Sequence, residues 1–283
     1  MMELKEAINQ MEVNMQCSLK EDEYIGEDGI IYCKNCHTRR RTDFIVFGKY
    51  MPIMCKCKEE EYNKEQERMK QLEKQNIVDK LRRSSLLGEK YKEALFENTE
   101  TTHNEEFKKI YDRCKKYCES SGLVLEKGIG IYLFGNKGTG KSRITACMAN
   151  ELMNKYYTVL YTNFSEISKQ IRETFNRTVE TESMFLDKLT NIDFLFIDDF
   201  GTEIVTRNGQ DIWLQEKIFE VINKRYNNNK PIIFTSNYSL EQLIKERGIA
   251  DKTVDRIMEI CEIMKLDGVS YRRTVMNQRD KIF

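Results

Sequence analysis

The sequence has little proline, no long apolar run and no charge excess of either sign. Only 2 of 283 residues are proline, which argues against proline-rich linkers and low-complexity tails. No apolar run approaches the ~18–20 residues that a membrane-spanning helix needs. The first residues, MMELKEAINQMEVNMQ, lack a basic stretch followed by an apolar core, so no secretory signal is expected and the expected location is cytoplasmic. Lys+Arg 46 balance Asp+Glu 46, so a polyanion partner would have to be met by a local patch rather than by the whole chain. The 9 cysteines are an odd number, and in a chain without an export signal a disulfide framework is not expected.

What is present is a globular composition, 40% hydrophobic and 33% charged, long enough for one large or two ordinary domains. Leu4, Ile8, Met11 and Met15 recur at helical spacing. Cysteine pairs follow, flanking Phe44–Phe47, and residues 58–93 alternate charges like a solvated helix. From Ile129 the texture changes. Apolar runs at Ile129–Phe134, Thr158–Tyr161, Phe194–Ile197 and Pro231–Phe234 alternate with amphipathic stretches at Lys141–Lys155, Ser165–Phe175, Ile212–Tyr226, Leu240–Arg247 and Asp251–Met264. That alternation predicts an α/β fold with a parallel sheet and helical crossovers. The expected organisation is an N-terminal module over residues 1–60, a charged helical linker over 61–90 and the large domain over 91–283.

Gly135-Asn136-Lys137-Gly138-Thr139-Gly140-Lys141-Ser142 satisfies G-x-x-x-x-G-K-[ST], entered by an apolar run and left by a helical one. A nucleoside triphosphate tail needs inward-facing backbone N–H groups without side-chain bulk, which glycines and a helix N-terminus supply. In this reading Lys141 bridges the β- and γ-phosphates and the Ser142 hydroxyl meets Mg2+. Phe194–Ile197 ends in Asp198-Asp199, where an open α/β sheet binds ligands. Asp198 is expected at Mg2+, and Asp199 is expected to orient and deprotonate water. The Pro231–Phe234 run ends in Thr235-Ser236-Asn237, and the Asn237 amide can reach the same water or the γ-phosphate.

Cys33-x2-Cys36 and Cys55-x-Cys57 offer four thiolates in two pairs, which suits structural, tetrahedral Zn2+. His37 is an alternative ligand to one of them. A small charged module lacks the apolar residues for a large core, so a metal would help to fold it. Cys17, Cys114, Cys118, Cys147 and Cys261 read as packing residues, and His103 as surface. Arg39-Arg40-Arg41 is the sharpest basic cluster, read either as a solvated tip or as a nucleic-acid contact. Lys169, Arg172 and Arg177, with Phe164 and Phe175, pose the same alternative for single strands.

GNKGTGKS, FLFIDDFG and IIFTSN together resemble the AAA+ ATPases. The segment from Glu216 through Tyr226 and on to Pro231 resembles the bacterial DnaC/DnaI-type helicase loaders and the related IstB transposition ATPases. The resemblance covers roughly residues 85–275. It implies a five-stranded AAA+ sheet, an ATP–Mg2+ site at the interface of a homo-oligomer, and weak, partner-stimulated hydrolysis. It also implies an arginine acting in trans, at Arg256 with Arg247 as its rival, and a second sensor arginine at Arg272. The segment 238–283 is short for a full helical lid and fits loaders with a reduced one. Several DnaI-like loaders carry an N-terminal zinc domain that contacts the helicase. The resemblance thus implies a loader that places the hexameric replicative helicase on single-stranded DNA, with an IstB-type helper of a transposase as the alternative. A small-molecule kinase would need an acceptor site that the sequence does not display. An adaptor using ATP only as a switch would not need Asp199.

Overall fold

Residues of one apolar run after another alternate between two cores, and this alternation builds the large unit. In β5 (Gly130–Phe134) Ile131 and Leu133 face one core while Tyr132 faces the other. In β7 (Phe194–Phe200) Phe194 and Phe196 face the first, and Leu195 and Ile197 the second. In β8 (Ile232–Ser236) Ile233 opposes Ile232 and Phe234 in the same way. A strand with both faces buried must be apolar throughout, which is why these runs are continuous rather than alternating. The computed structural model describes residues 19–46, 49–101, 105–174, 182–202, 210–268 and 270.

The chain divides into two compact units, Met1–Glu73 and Lys74–Phe283, and the division falls inside the segment expected as a linker. The first unit has two antiparallel pairs, β1 (Glu23–Ile25) with β2 (Ile31–Cys33) and β3 (Arg41–Val46) with β4 (Lys49–Pro52). Helix α1 (Lys56–Ser84) follows; it is charged and almost wholly exposed, with Val78 its buried residue. The expected helix around Leu4 to Met15 lies outside the described residues, as do Cys17 and His103.

The second unit carries a five-stranded sheet in the order β6-β7-β8-β5-β9, where β6 is Val159–Thr162 and β9 is Cys261–Lys265, every pair parallel. Helices α2 (Glu89–Lys92), α3 (Glu105–Glu119), α4 (Ser121–Lys127) and α5 (Lys141–Asn154) come before β6, and α6 (Phe164–Thr174) and α7 (Glu182–Asn191) separate β6 from β7. Helix α8 (Gln210–Asn227) leads to β8, and α9 (Leu240–Lys245) and α10 (Asp251–Ile260) lead to β9. The first core holds α5 and α3; the second holds residues of α6, α7, α8 and α10. Cys114, Cys118, Cys147 and Cys261 are buried packing residues, as expected. The fifth strand corrects the expected helix over Asp251–Met264, which ends at Ile260.

Arg225, near the end of α8, is fully buried. It donates to the carbonyls of Leu189 at 2.6 Å, Ile192 at 3.0 Å, Asp193 at 3.1 Å and Pro231 at 2.7 Å. One side chain thus closes the end of α7 and the entries to β7 and β8, supplying donors to carbonyls that would otherwise be orphaned. Burial lowers its guanidinium to about 9, so it stays charged at neutral pH. Replacing Arg225 by Met keeps the stem but strands those carbonyls. The expected loss is on the order of 3 kcal/mol or more, read as a lower urea midpoint by circular dichroism.

Candidate nucleotide site and cysteine cluster

The phosphate loop joins β5 to α5 at the C-terminal edge of the sheet. Gly135, Gly138 and Gly140 have φ of 146°, 83° and 102°, values that side chains rarely adopt. A Cβ on Gly135 would stand 2.0 Å from the Leu266 carbonyl oxygen, and one on Gly138 2.2 Å from Ser270 Oγ. The loop is therefore threaded under the segment that leaves β9, and only glycine fits there. Lys141 is 5% exposed. Its Nζ donates to the carbonyls of Gly135 and Asn136, both at 2.8 Å, and to Asn237 Oδ1 at 3.1 Å.

Opposite the loop, β7 delivers the two acids. Ser142 Oγ donates to Asp198 Oδ1 at 3.0 Å. The Thr235 hydroxyl donates to the same oxygen and accepts the Asp199 N–H at 2.9 Å. Asn237 Nδ2 stands 3.5 Å from Asp199 Oδ1. The sequence residues expected at one site, Lys141, Ser142, Asp198, Asp199 and Asn237, are thus brought together. A hydroxyl beside a carboxylate is a hard-oxygen donor pair of the kind Mg2+ takes. Asp199 has φ 52°, and the β7–β8 register shifts between Ile197 and Phe200. This turn lifts the Asp199 carboxylate out of the ladder and leaves it exposed, while Phe200 returns to the core.

Two residues at this edge were not singled out from sequence. Thr235 links both acids, and Tyr161 bonds Thr145 at 3.1 Å. Burial first, and then the nearby Asp198 charge, raise the Tyr161 hydroxyl well above its ordinary range, so it stays protonated. The pattern offered no hint of either, because a strand-end Thr and a strand Tyr are ordinary sheet residues.

The arginines separate. Arg247 donates to the carbonyls of Gly201 at 2.5 Å and Thr202 at 2.6 Å within its own chain. Arg256 stacks over Tyr226, 4.4 Å from the ring centroid, and pairs with Glu259 at 2.6 Å. Its helix ends where Cys261 pairs with Gly130, at the start of β5, whereas the phosphate loop follows the end of β5. Five residues of strand, ~3.3 Å each, separate those edges. Arg256 thus stands toward the edge of the sheet away from its own phosphate loop. Arg272 lies outside the described residues.

In the N-terminal unit the sulfurs of Cys33, Cys36, Cys55 and Cys57 all lie within 4.8 Å of one another. The second pair does not sit on a knuckle like the first. Cys55 precedes α1 and Cys57 is in its first turn, and this helical start accounts for the one-residue spacing. Four converging thiols suit a closed tetrahedral metal site. His37 instead bonds Tyr24 through Nδ1 at 2.9 Å. The basic cluster is also not a simple solvated tip, since Arg40 is 6% exposed and donates to Cys55 Sγ at 3.1 Å and Glu23 at 3.1 Å. Of the single-strand candidates, Phe164 is buried and Arg172 lies over Trp213; Phe175 and Arg177 lie outside the described residues.

Residues 57–279 match the family described as IstB-like ATP binding protein. The chain is 28% identical over 177 residues to the replicative helicase loader DnaI of Bacillus subtilis, covering 59% of this chain and 53% of DnaI. It is 25% identical over 146 residues to the replicative helicase loader DnaC of Escherichia coli K12, covering 51% and 55%. The chain spans about half the length of these curated relatives. The crystal structure of the DnaC helicase loader aligns with a TM-score of 0.53 at 22% identity, over 63% of this chain and 99% of that one. AMPPCP-bound DnaA from Aquifex aeolicus aligns with a TM-score of 0.52 at 23% identity, over 70% and 56%. These structural likenesses establish an AAA+ fold, and the family match over most of the chain settles descent: the protein belongs to the IstB-like ATP-binding proteins, homologous to the DnaC and DnaI helicase loaders.

Proposed function

We propose that this protein is a cytoplasmic, ATP-hydrolysing loader that binds a hexameric replicative DNA helicase and assists its placement on single-stranded DNA. The observation that carries the chemistry is the 3.0 Å contact between Ser142 and Asp198, which joins the phosphate loop to the acid-tipped strand. Ser142 and Asp198 would hold Mg2+, and the ion would supply positive charge to the phosphate oxygens. Lys141, held by two loop carbonyls and Asn237, would transfer its donors to the β- and γ-phosphates. Asp199 accepts the proton of the attacking water, and Asn237, already beside it, orients that water. Arg256 acts on the site of a neighbouring copy. Its distance from its own loop along the sheet supports a trans role, and charge arriving from a neighbour makes hydrolysis depend on assembly. Any second sensor role of Arg272 belongs to the same site.

The cysteine cluster holds structural Zn2+ in a module over residues 1–60, joined by the charged helix to an ATPase domain over 91–283, and this module contacts the helicase. The relatedness to DnaI and DnaC supports a loader. The family's description supports a second reading, an IstB-type ATPase helper that works with a transposase on duplex DNA. Capture of a replicative helicase by the full chain with ATP, lost when the module is removed, is expected for a loader. Failure of any helicase to bind, together with duplex-dependent filament formation, would favour the helper.

Asp199→Asn should lower phosphate release by ~100-fold or more, as expected for loss of a general base, while ATP affinity stays within a few-fold. Steady-state hydrolysis and fluorescent-nucleotide titration read the two quantities. Zinc analysis of the purified chain should give one ion per chain. Acidification or a chelator should release it and unfold the N-terminal unit, because protonated thiols do not ligate. The melting transition of the ATPase unit should not move.

A further inference from the structure

Arg247 has no use in the hydrolytic scheme above. We propose that it is a positioning residue, acting in cis, that holds the Asp199 turn in its working conformation and ties it to Tyr238, the residue after Asn237. This inference rests on the proposed hydrolytic role of Asp199.

Asp199 sits in the left-handed region at φ 52° and Gly201 at φ 87°. An aspartate tolerates that region but does not prefer it, so the turn needs external contacts to stay there. Those contacts converge from three directions. Thr202 folds back, its N–H and hydroxyl both donating to the Asp199 carbonyl, at 3.2 Å and 2.7 Å. From β8, Ser236 Oγ donates to the Phe200 carbonyl at 2.7 Å. From the chain after α9, the Arg247 guanidinium takes the next two carbonyls, Gly201 and Thr202, through Nε and Nη2.

The same guanidinium lies over the Tyr238 ring, 5.0 Å from its centroid, and Tyr238 follows Asn237 directly. Its N–H in turn donates to Ser236 Oγ at 3.1 Å. Leu243 of α9 closes the last side, since a Cβ on Gly201 would stand 2.4 Å from Leu243 Cδ2. One planar cation thus bridges the turn that presents Asp199 and the residue beside Asn237. A planar fork that bonds two carbonyls and stacks on a ring fixes orientation in a way that a lysine cannot. Two of its five N–H donors, on Nε and Nη2, are thus committed inside its own subunit.

The test uses the full chain with ATP and Mg2+. Arg247→Ala should lower kcat by about 100-fold, the scale of a displaced catalytic group. The Kd for a fluorescent ATP analogue should stay within a few-fold. Arg247→Lys should recover only part of the loss. Mixing separates cis from trans. Lys141→Ala subunits, which keep Arg247 and Arg256, should not restore hydrolysis to Arg247→Ala subunits but should restore it to Arg256→Ala subunits. Amide exchange at 200–202 should quicken in Arg247→Ala while the sheet keeps its protection. An unchanged kcat, recovery of the Arg247→Ala mixture, or unchanged exchange at the turn would each overturn the proposal. A wild-type chain that never hydrolyses ATP, with exchange at the turn still quickened in Arg247→Ala, would remove the hydrolytic reading and leave the clamp standing.

Discussion

The hydrogen bond from Ser142 to Asp198 is the constraint on which the site depends. It requires that β5 and β7 end at the same edge of the sheet, although β8 lies between them. It requires that α5 start beneath that edge, which the positive φ values of Gly135, Gly138 and Gly140 permit. It also requires a residue on the intervening strand to fill the gap, and Thr235 does so by bonding Asp198 and accepting from Asp199. The parallel order, the glycine turns and the strand-end threonine are three solutions to one geometric demand.

Two arginines serve the same architecture through backbone carbonyls. Arg225 gathers carbonyls where α7 ends and β7 and β8 begin, at the edge away from the phosphate loop. Arg247 gathers carbonyls just past the acids, at the loop edge. β7 is thereby fixed at both ends by guanidinium groups bonded to backbone carbonyls. The N-terminal unit solves a different problem. Among its described residues the buried apolar side chains are few, Ile31 with Cys33 and Cys55, and four thiols converge beside them.

Much of this was legible in the sequence, for physical reasons that also explain the failures. The runs of the three central strands, β5, β7 and β8, could be read because both faces are buried, so each is continuously apolar. The phosphate loop and the two acids could be read because phosphate chemistry demands those residue types at those intervals. The cysteine pairs could be read from spacing, although the one-residue gap of the second pair made sense only once Cys57 was found in a helical first turn. The resemblance implied a fifth strand, but its place could not be read from the residue pattern. Val254, Ile257, Cys261 and Met264 fall at spacings of three and four, which continues the period of α10, and an edge strand with Glu262 and Ile263 exposed adds no long apolar run to contradict it. Thr235, Tyr161, Arg225 and the in-chain carbonyl partners of Arg247 were illegible for another reason. Most of their partners are backbone atoms, hydroxyls or a carboxylate brought near only by the fold, and nothing in the local pattern distinguishes them from ordinary strand or helix residues.

The central claim is that the Ser142 hydroxyl and the Asp198 carboxylate together hold the divalent ion that accompanies ATP. Calorimetric titration of ATP into the full chain, with Mg2+ and then with EDTA, tests it most directly when repeated on Asp198→Asn and Ser142→Ala. The account predicts tighter binding with Mg2+ in the wild type and little or no difference between the two conditions in either variant. A Mg2+ effect of undiminished size in both variants would contradict it.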